Sequence, residues 1–145
     1  MASEAEIKLN TIVYFQADYE DDDGEEAKGR RHVVSEIRGD ELFFLKITSR
    51  RKGLYARRAA GYADCLDKTS YVIFNRKIRF SFADLKVNNY QYFYICPLNH
   101  DGCLDKENFD SILQKTKEYW EDELIRDKDA IPVEANELKK PKNPP

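Results

Sequence analysis

The stretch His32-Val33-Val34-Ser35-Glu36-Ile37-Arg38-Gly39-Asp40-Glu41-Leu42-Phe43-Phe44-Leu45-Lys46-Ile47-Thr48 decides the fold class. Its two arms are short, rich in β-branched and aromatic residues and bounded by polar positions, which suits a pleated, half-buried strand better than a helix. Arg38-Gly39-Asp40-Glu41 between them is a tight polar turn, so the segment predicts a β-hairpin. Outward from it, Asn10 to Ala17 (NTIVYFQA), Tyr71 to Phe74 and Tyr90 to Cys96 (YQYFYIC) have the same character and predict further strands. A handful of short strands joined by hairpins points to a small barrel or sandwich.

The last third changes period. Asp105 is placed to N-cap a helix, and the apolar residues Phe109, Ile112, Leu113, Thr116 and Trp120 then recur at the spacing of one buried helical face. Beyond about Arg126 the chain is charged and ends Lys139-Lys140-Pro141-Lys142-Asn143-Pro144-Pro145, a composition that predicts a mobile, Pro-rich tail over 127–145. The expected organisation is an arm at 1–9, one domain at 10–126 and that tail. The expected class is mainly β with α, an α+β fold with a C-terminal helix packed on the strands.

At 145 residues the chain buries roughly two-thirds of its unfolded surface, enough for one core. No apolar run approaches the ~20 residues of a membrane span, and Met1 to Lys8 carries two acids where a secretion signal needs an apolar stretch. The expected location is the cytoplasm, with no membrane partner. Cys65, Cys96 and Cys103 are too few for a stapled secreted framework and are expected to be reduced thiols.

The net charge of −3 says less than its distribution. From Asp18 to Glu26 seven of nine residues are acidic, whereas Leu42 to Ala63 holds six Lys or Arg and no acid. Lys46, Arg50, Arg51, Lys52, Arg57 and Arg58 are interleaved there with Thr48, Ser49 and Tyr55, donors for phosphate oxygens and a ring that can stack on a base. Lys28, Arg30 and Arg31 form a second basic cluster, and Arg76, Lys77 and Arg79 a third. A solvated loop is the bland reading. The long acid-free run with aromatic content favours single-stranded nucleic acid.

Over roughly residues 11 to 117 the residues lie in an order that resembles the PemK/MazF toxin family. Ile12-Val13-Tyr14-Phe15-Gln16-Ala17-Asp18 resembles that family's first strand. Gly24, Glu26, Lys28 and Arg31 resemble its G-x-E-x-K-x-x-R-P stretch, with His32 in place of the proline. Leu45-Lys46-Ile47-Thr48-Ser49 resembles the strand ending in Ile-Thr-Ser. Ser70 to Ile73 with Lys77-Ile78-Arg79 resembles a later strand and its turn, and Gly102 to Glu107 the entry to the closing helix. The resemblance implies a homodimeric, SH3-like β-barrel that cleaves single-stranded RNA without metal or other cofactor, leaves a cyclic phosphate and is silenced by an antitoxin protein. It implies Arg31 and Thr48 as the catalytic pair. The missing proline keeps Arg30 open as the alternative to Arg31, since alternation lets only one of them face a site. Ser49 is the alternative hydroxyl.

His32 is a candidate titrating group, set against an ordinary strand residue. Cys96, His100 and Cys103 match no common zinc spacing, so no metal site is expected. The acidic run is either a solvated connector or a gate that competes with RNA for the basic groove. Two non-enzymatic readings stand beside the nuclease. One is a CcdB-like gyrase poison, which acts through a terminal Trp-Gly-Ile, whereas this chain ends Pro144-Pro145. The other is a plain nucleic-acid or protein interaction barrel.

Overall fold

The computed structural model describes residues 7–17, 29–49, 55–61, 65–66, 69–96, 102–123 and 129–141. At its centre β2 (Arg30–Arg38) and β3 (Glu41–Thr48) form the expected hairpin, Arg38 opposite Glu41 and Gly39 at φ 58 in the turn. Only glycine adopts that left-handed conformation without strain. Asp40 of the same turn reaches across to Ser81 and Ala83. Its carboxylate accepts from the Ala83 N–H at 3.0 Å and bonds the Ser81 hydroxyl at 2.5 Å, so the hairpin turn also caps a helix.

β1 (Ile12–Ala17) pairs antiparallel with β2, and β4 (Ala56–Ala59) and β5 (Ser70–Ile73) extend the sheet beyond β3. β6 (Ile78–Ser81) pairs with the first half of β3, and α1 (Phe82–Val87) follows, with the Ser81 hydroxyl accepting from the Asp84 N–H. β7 (Tyr94–Ile95) pairs with β1. α2 (Lys106–Asp122) is the expected C-terminal helix and buries Phe109, Ile112, Thr116 and Trp120, although the Asp105 side chain makes no capping bond. The class is α+β, mainly β with one long helix. Among the described residues the sheet is open, in the order β4-β5-β3-β2-β1-β7.

Because the central strands are covered on both sides, successive residues feed two cores. Val13, Phe15, Val34, Leu42, Phe44, Phe80 and Phe93 fill one, which we call the aromatic side. There the Phe15 ring stands edge-on to Phe80 at 5.1 Å and Phe44 at 5.5 Å, an orientation that aromatic quadrupoles favour. Ile12, Val33, Leu45, Ile47 and Val72 meet Phe109 and Ile112 of α2 on the other, the helix side. A bulge between Val34 and Glu36 then turns Glu36 to the Phe43 side of the hairpin.

Four expectations are corrected. Most of the Tyr90–Cys96 stretch is not a strand: Tyr90 and Tyr92 have φ of 51 and 61, left-handed values that break a ladder, so only Tyr94–Ile95 pairs. The tail is not without structure over 129–141. β8 (Ile131–Pro132) runs parallel to β6, a 3₁₀ turn spans Ala135–Glu137, and β9 (Leu138–Lys139) pairs with β1. Val133, Ala135 and Leu138 complete the aromatic-side core and the Ala135 N–H donates to Asp84 at 2.6 Å, so these few apolar residues hold the segment down. Ile7, at the end of the expected arm, is buried in the same core. The cysteines are not all thiols: Cys65 and Cys103 form a disulfide with Cα atoms 5.6 Å apart, tying the approach to β5 to the approach to α2, while Cys96 is buried outside that bond.

Candidate nucleic-acid interface

Residues directly opposite on neighbouring strands share a face of the sheet. Thr48 stands opposite Tyr71, and Tyr71 opposite Arg58, giving a row of hydroxyl, phenol and guanidinium across β3, β5 and β4. Two residues back along β3, Lys46 shares the face of Thr48 and lies opposite His32. Alternation along β2 places Arg30 beside His32 and opposite Phe15. The aromatic side therefore ends, beyond its core, in Arg30, Lys46, Thr48, Tyr71 and Arg58. Arg58 is exposed and the others are partly buried. The acids of the two long strands, Glu36 and Glu41, lie toward the opposite, hairpin end.

Arg31 belongs to the other side. It stands opposite Tyr14, which stands opposite Tyr94, and the Tyr14 ring fills the space that a side chain at Gly29 would need. Arg31 and Thr48 are thus divided between the two faces, whereas Arg30 and Thr48 share one. Arg57 is likewise on the helix side, opposite Val72, with its guanidinium 3.4 Å from the Ser111 hydroxyl of α2. That contact independently fixes which way β4 faces.

His32 is a core residue. It is fully buried, its ring stacks on Phe15 with centroids 3.9 Å apart and planes 9° from parallel, and its Nδ1 donates to the Arg30 carbonyl at 2.9 Å. Burial, chiefly, drives its pKa from 6.5 down to about 3; the Arg30 carbonyl opposes the fall, and the cations of Lys46 and Arg30 add to it. A neutral imidazole with no access to solvent does not titrate near neutrality, which removes His32 as the titrating group.

The third basic cluster does not join the row. Lys77 is 13 % exposed and its ammonium lies 4.3 Å over the Trp120 ring, a cation–π contact that serves packing of α2. Arg79 stands opposite Phe43 and so faces the helix side. Arg76 precedes β6 and is half-buried. Ser49 is exposed just past the end of β3. Lys28, Arg50, Arg51, Lys52, His100 and the acidic run lie outside the described residues. Cys103, being disulfide-bonded, is not available to a Cys96–His100–Cys103 metal site.

No family model matches the chain, and no curated protein or solved structure matches it. The reading of the site therefore rests on its geometry. Three cations on one face with a hydroxyl and a phenol between them can bind a phosphodiester by charge-assisted hydrogen bonds and stabilise negative charge that develops on it. Tyr71, opposite Thr48, is the member of the row that sequence reading did not single out. Only the pairing register reveals it, and register is a long-range property. No helix among the described residues is long and apolar enough to cross a membrane.

Proposed function

We propose that the chain is a toxin-type endoribonuclease that cleaves single-stranded RNA by attack of the ribose 2′-hydroxyl, with Arg30 rather than Arg31 paired to Thr48. The observation that carries this reading is the cross-strand row Arg58–Tyr71–Thr48, flanked on the same face by Lys46 and Arg30. In the reaction the 2′-oxygen bonds to phosphorus, the bond to the 5′-oxygen breaks, and the 2′-hydroxyl proton ends on that oxygen. A 2′,3′-cyclic phosphate and a 5′-hydroxyl result. Arg30 and Lys46 stabilise the phosphorane. Thr48 orients the 2′-hydroxyl by accepting its proton in a hydrogen bond while donating to a phosphate oxygen. Arg58 and Tyr71 hold the neighbouring nucleotide.

The wider architecture that the resemblance implies belongs to the same proposal: an SH3-like barrel, acting in the cytoplasm as a homodimer silenced by an antitoxin. The branching of pairings supports the barrel, since β3 pairs with β2, β5 and β6 and β1 with β2, β7 and β9, as strands do when a small sheet curls. A second reading is favoured by the separation of Arg31 from Thr48: a barrel that binds RNA without cutting it. Incubating the purified chain with total RNA and excess chelator, then analysing end groups, separates the two. Fragments ending in cyclic phosphate support the nuclease. Binding with intact RNA supports the second reading, and absence of binding removes both.

A further inference from the structure

Among the described residues β4 is an edge strand, so the two faces of the sheet meet along it. Arg58 faces the row just described, and its neighbour Arg57 faces the opposite way, toward α2. Immediately before the strand stands Tyr55, 44 % exposed, and among the described residues it is the one aromatic that is exposed. Its ring lies on the helix side, where it meets Tyr119 of α2 edge-on at a centroid distance of 5.4 Å and Phe74 at 6.4 Å. Phe74 is 1 % exposed and donates its N–H to the Tyr55 carbonyl at 3.0 Å. The outer ring is thereby held on an anchored aromatic floor with much of its surface open to solvent. On α2, Ser111, Lys115 and Tyr119 recur every four residues and line the same strip.

Within about 10 Å of backbone, the three residues that follow it, this ring of fixed orientation has arginines on both faces of the edge. A single strand of nucleic acid has that alternation of flat base and charged phosphate, and stacking accepts any base because each has a π face.

We infer that Tyr55 is a base-stacking platform for single-stranded RNA that passes around the β4 edge, with Arg57 and Arg58 holding phosphates on the two sides. This rests on the RNA reading proposed above. It extends the bound strand beyond the row at Thr48 and places a second contact, sequence-tolerant and largely insensitive to salt, on the helix side.

The test uses the full chain and two labelled probes of equal length, a 2′-O-methyl RNA oligonucleotide, which cannot be cleaved by 2′-attack, and an abasic oligomer with the same number of phosphates. Tyr55→Ala is expected to weaken binding of the base-bearing strand by roughly 5- to 150-fold, the loss of one stacked base. It should leave the abasic strand and the salt dependence unchanged. Tyr55→Phe should bind as the parent does, and Tyr55→Leu, which keeps apolar bulk against Phe74 and Tyr119, should lose affinity as Tyr55→Ala does. Equal losses on both probes, or parent-like binding of both Ala and Leu variants, overturn the platform while leaving the RNA reading intact. A parent chain that binds neither probe overturns the RNA reading and the platform with it.

Discussion

Acidification should destabilise this protein through His32. In the unfolded chain its imidazole titrates at 6.5, and in the fold burial lowers that to about 3. Between those values the unfolded state binds a proton that the folded state refuses, so stability rises with pH there. His32's contribution is complete above pH 6.5 and is lost as pH falls toward 3. The gap corresponds to roughly 5 kcal/mol at about 1.4 kcal/mol per pH unit, of which roughly 3 kcal/mol is gone by pH 4. Against a domain stability of about 5–15 kcal/mol, that is large. Urea denaturation at a series of pH values, run beside His32→Phe, isolates the effect, because phenylalanine keeps a ring against Phe15 and cannot be protonated. The variant is expected to lose the Arg30 hydrogen bond at every pH and to show a flatter dependence between pH 6.5 and 4, by about 1.4 kcal/mol per unit. Equal slopes for parent and variant would refute the buried, neutral histidine and return His32 to the list of groups able to titrate in a site.

Leu138→Ala removes a buried side chain from the segment that pairs with β1, and should cost about 2–5 kcal/mol in chemical denaturation; a loss below about 0.5 kcal/mol would mean that 129–141 does not pack as described. Asn10, at φ 69, accepts from the Leu104 N–H at 2.9 Å and donates to the Leu104 carbonyl at 2.7 Å, both buried, so Asn10→Ala should destabilise by roughly 2–4 kcal/mol, measured the same way. Arg58→Ala should lower the slope of log affinity against log salt for single-stranded RNA by about 0.7, one phosphate contact, with an unchanged slope placing Arg58 outside the bound strand.

The hairpin was legible because its two arms and turn agree at every level, from β-branched composition to the Gly39 turn. The helix was legible because Phe109, Ile112, Thr116 and Trp120 keep one period for several turns. Local composition misled at Tyr90–Cys96, where aromatic residues favour strands yet the backbone turns left-handed to fold over the core. α1 has a readable signal, Ser81 followed by Asp84 three positions on, but six residues are too short for periodicity to speak. The tail failed for the opposite reason: its charged majority hid the few apolar residues that dock it. Of the candidate site, the residue types were legible and their grouping was not. Charge clusters read along the chain put Arg57 with Arg58, and Lys77 with Arg79, whereas the sheet sends Arg57 and Arg58 to opposite faces and turns Lys77 and Arg79 together to the helix side, away from the row. The choice between Arg30 and Arg31 likewise needed the pairing of β2 with β1 and β3.

The choice of Arg30 over Arg31 decides which face of the sheet carries the chemistry. Cleavage of single-stranded RNA, measured with chelator present for the parent, Arg30→Ala and Arg31→Ala, with the fold of each checked by circular dichroism, tests it directly. Expected are cleavage by the parent, a loss of roughly 10²–10³-fold in Arg30→Ala as a transition-state donor is removed, and a rate within about threefold of the parent in Arg31→Ala. Loss in Arg31→Ala with Arg30→Ala unaffected, or no cleavage by the parent, would contradict it.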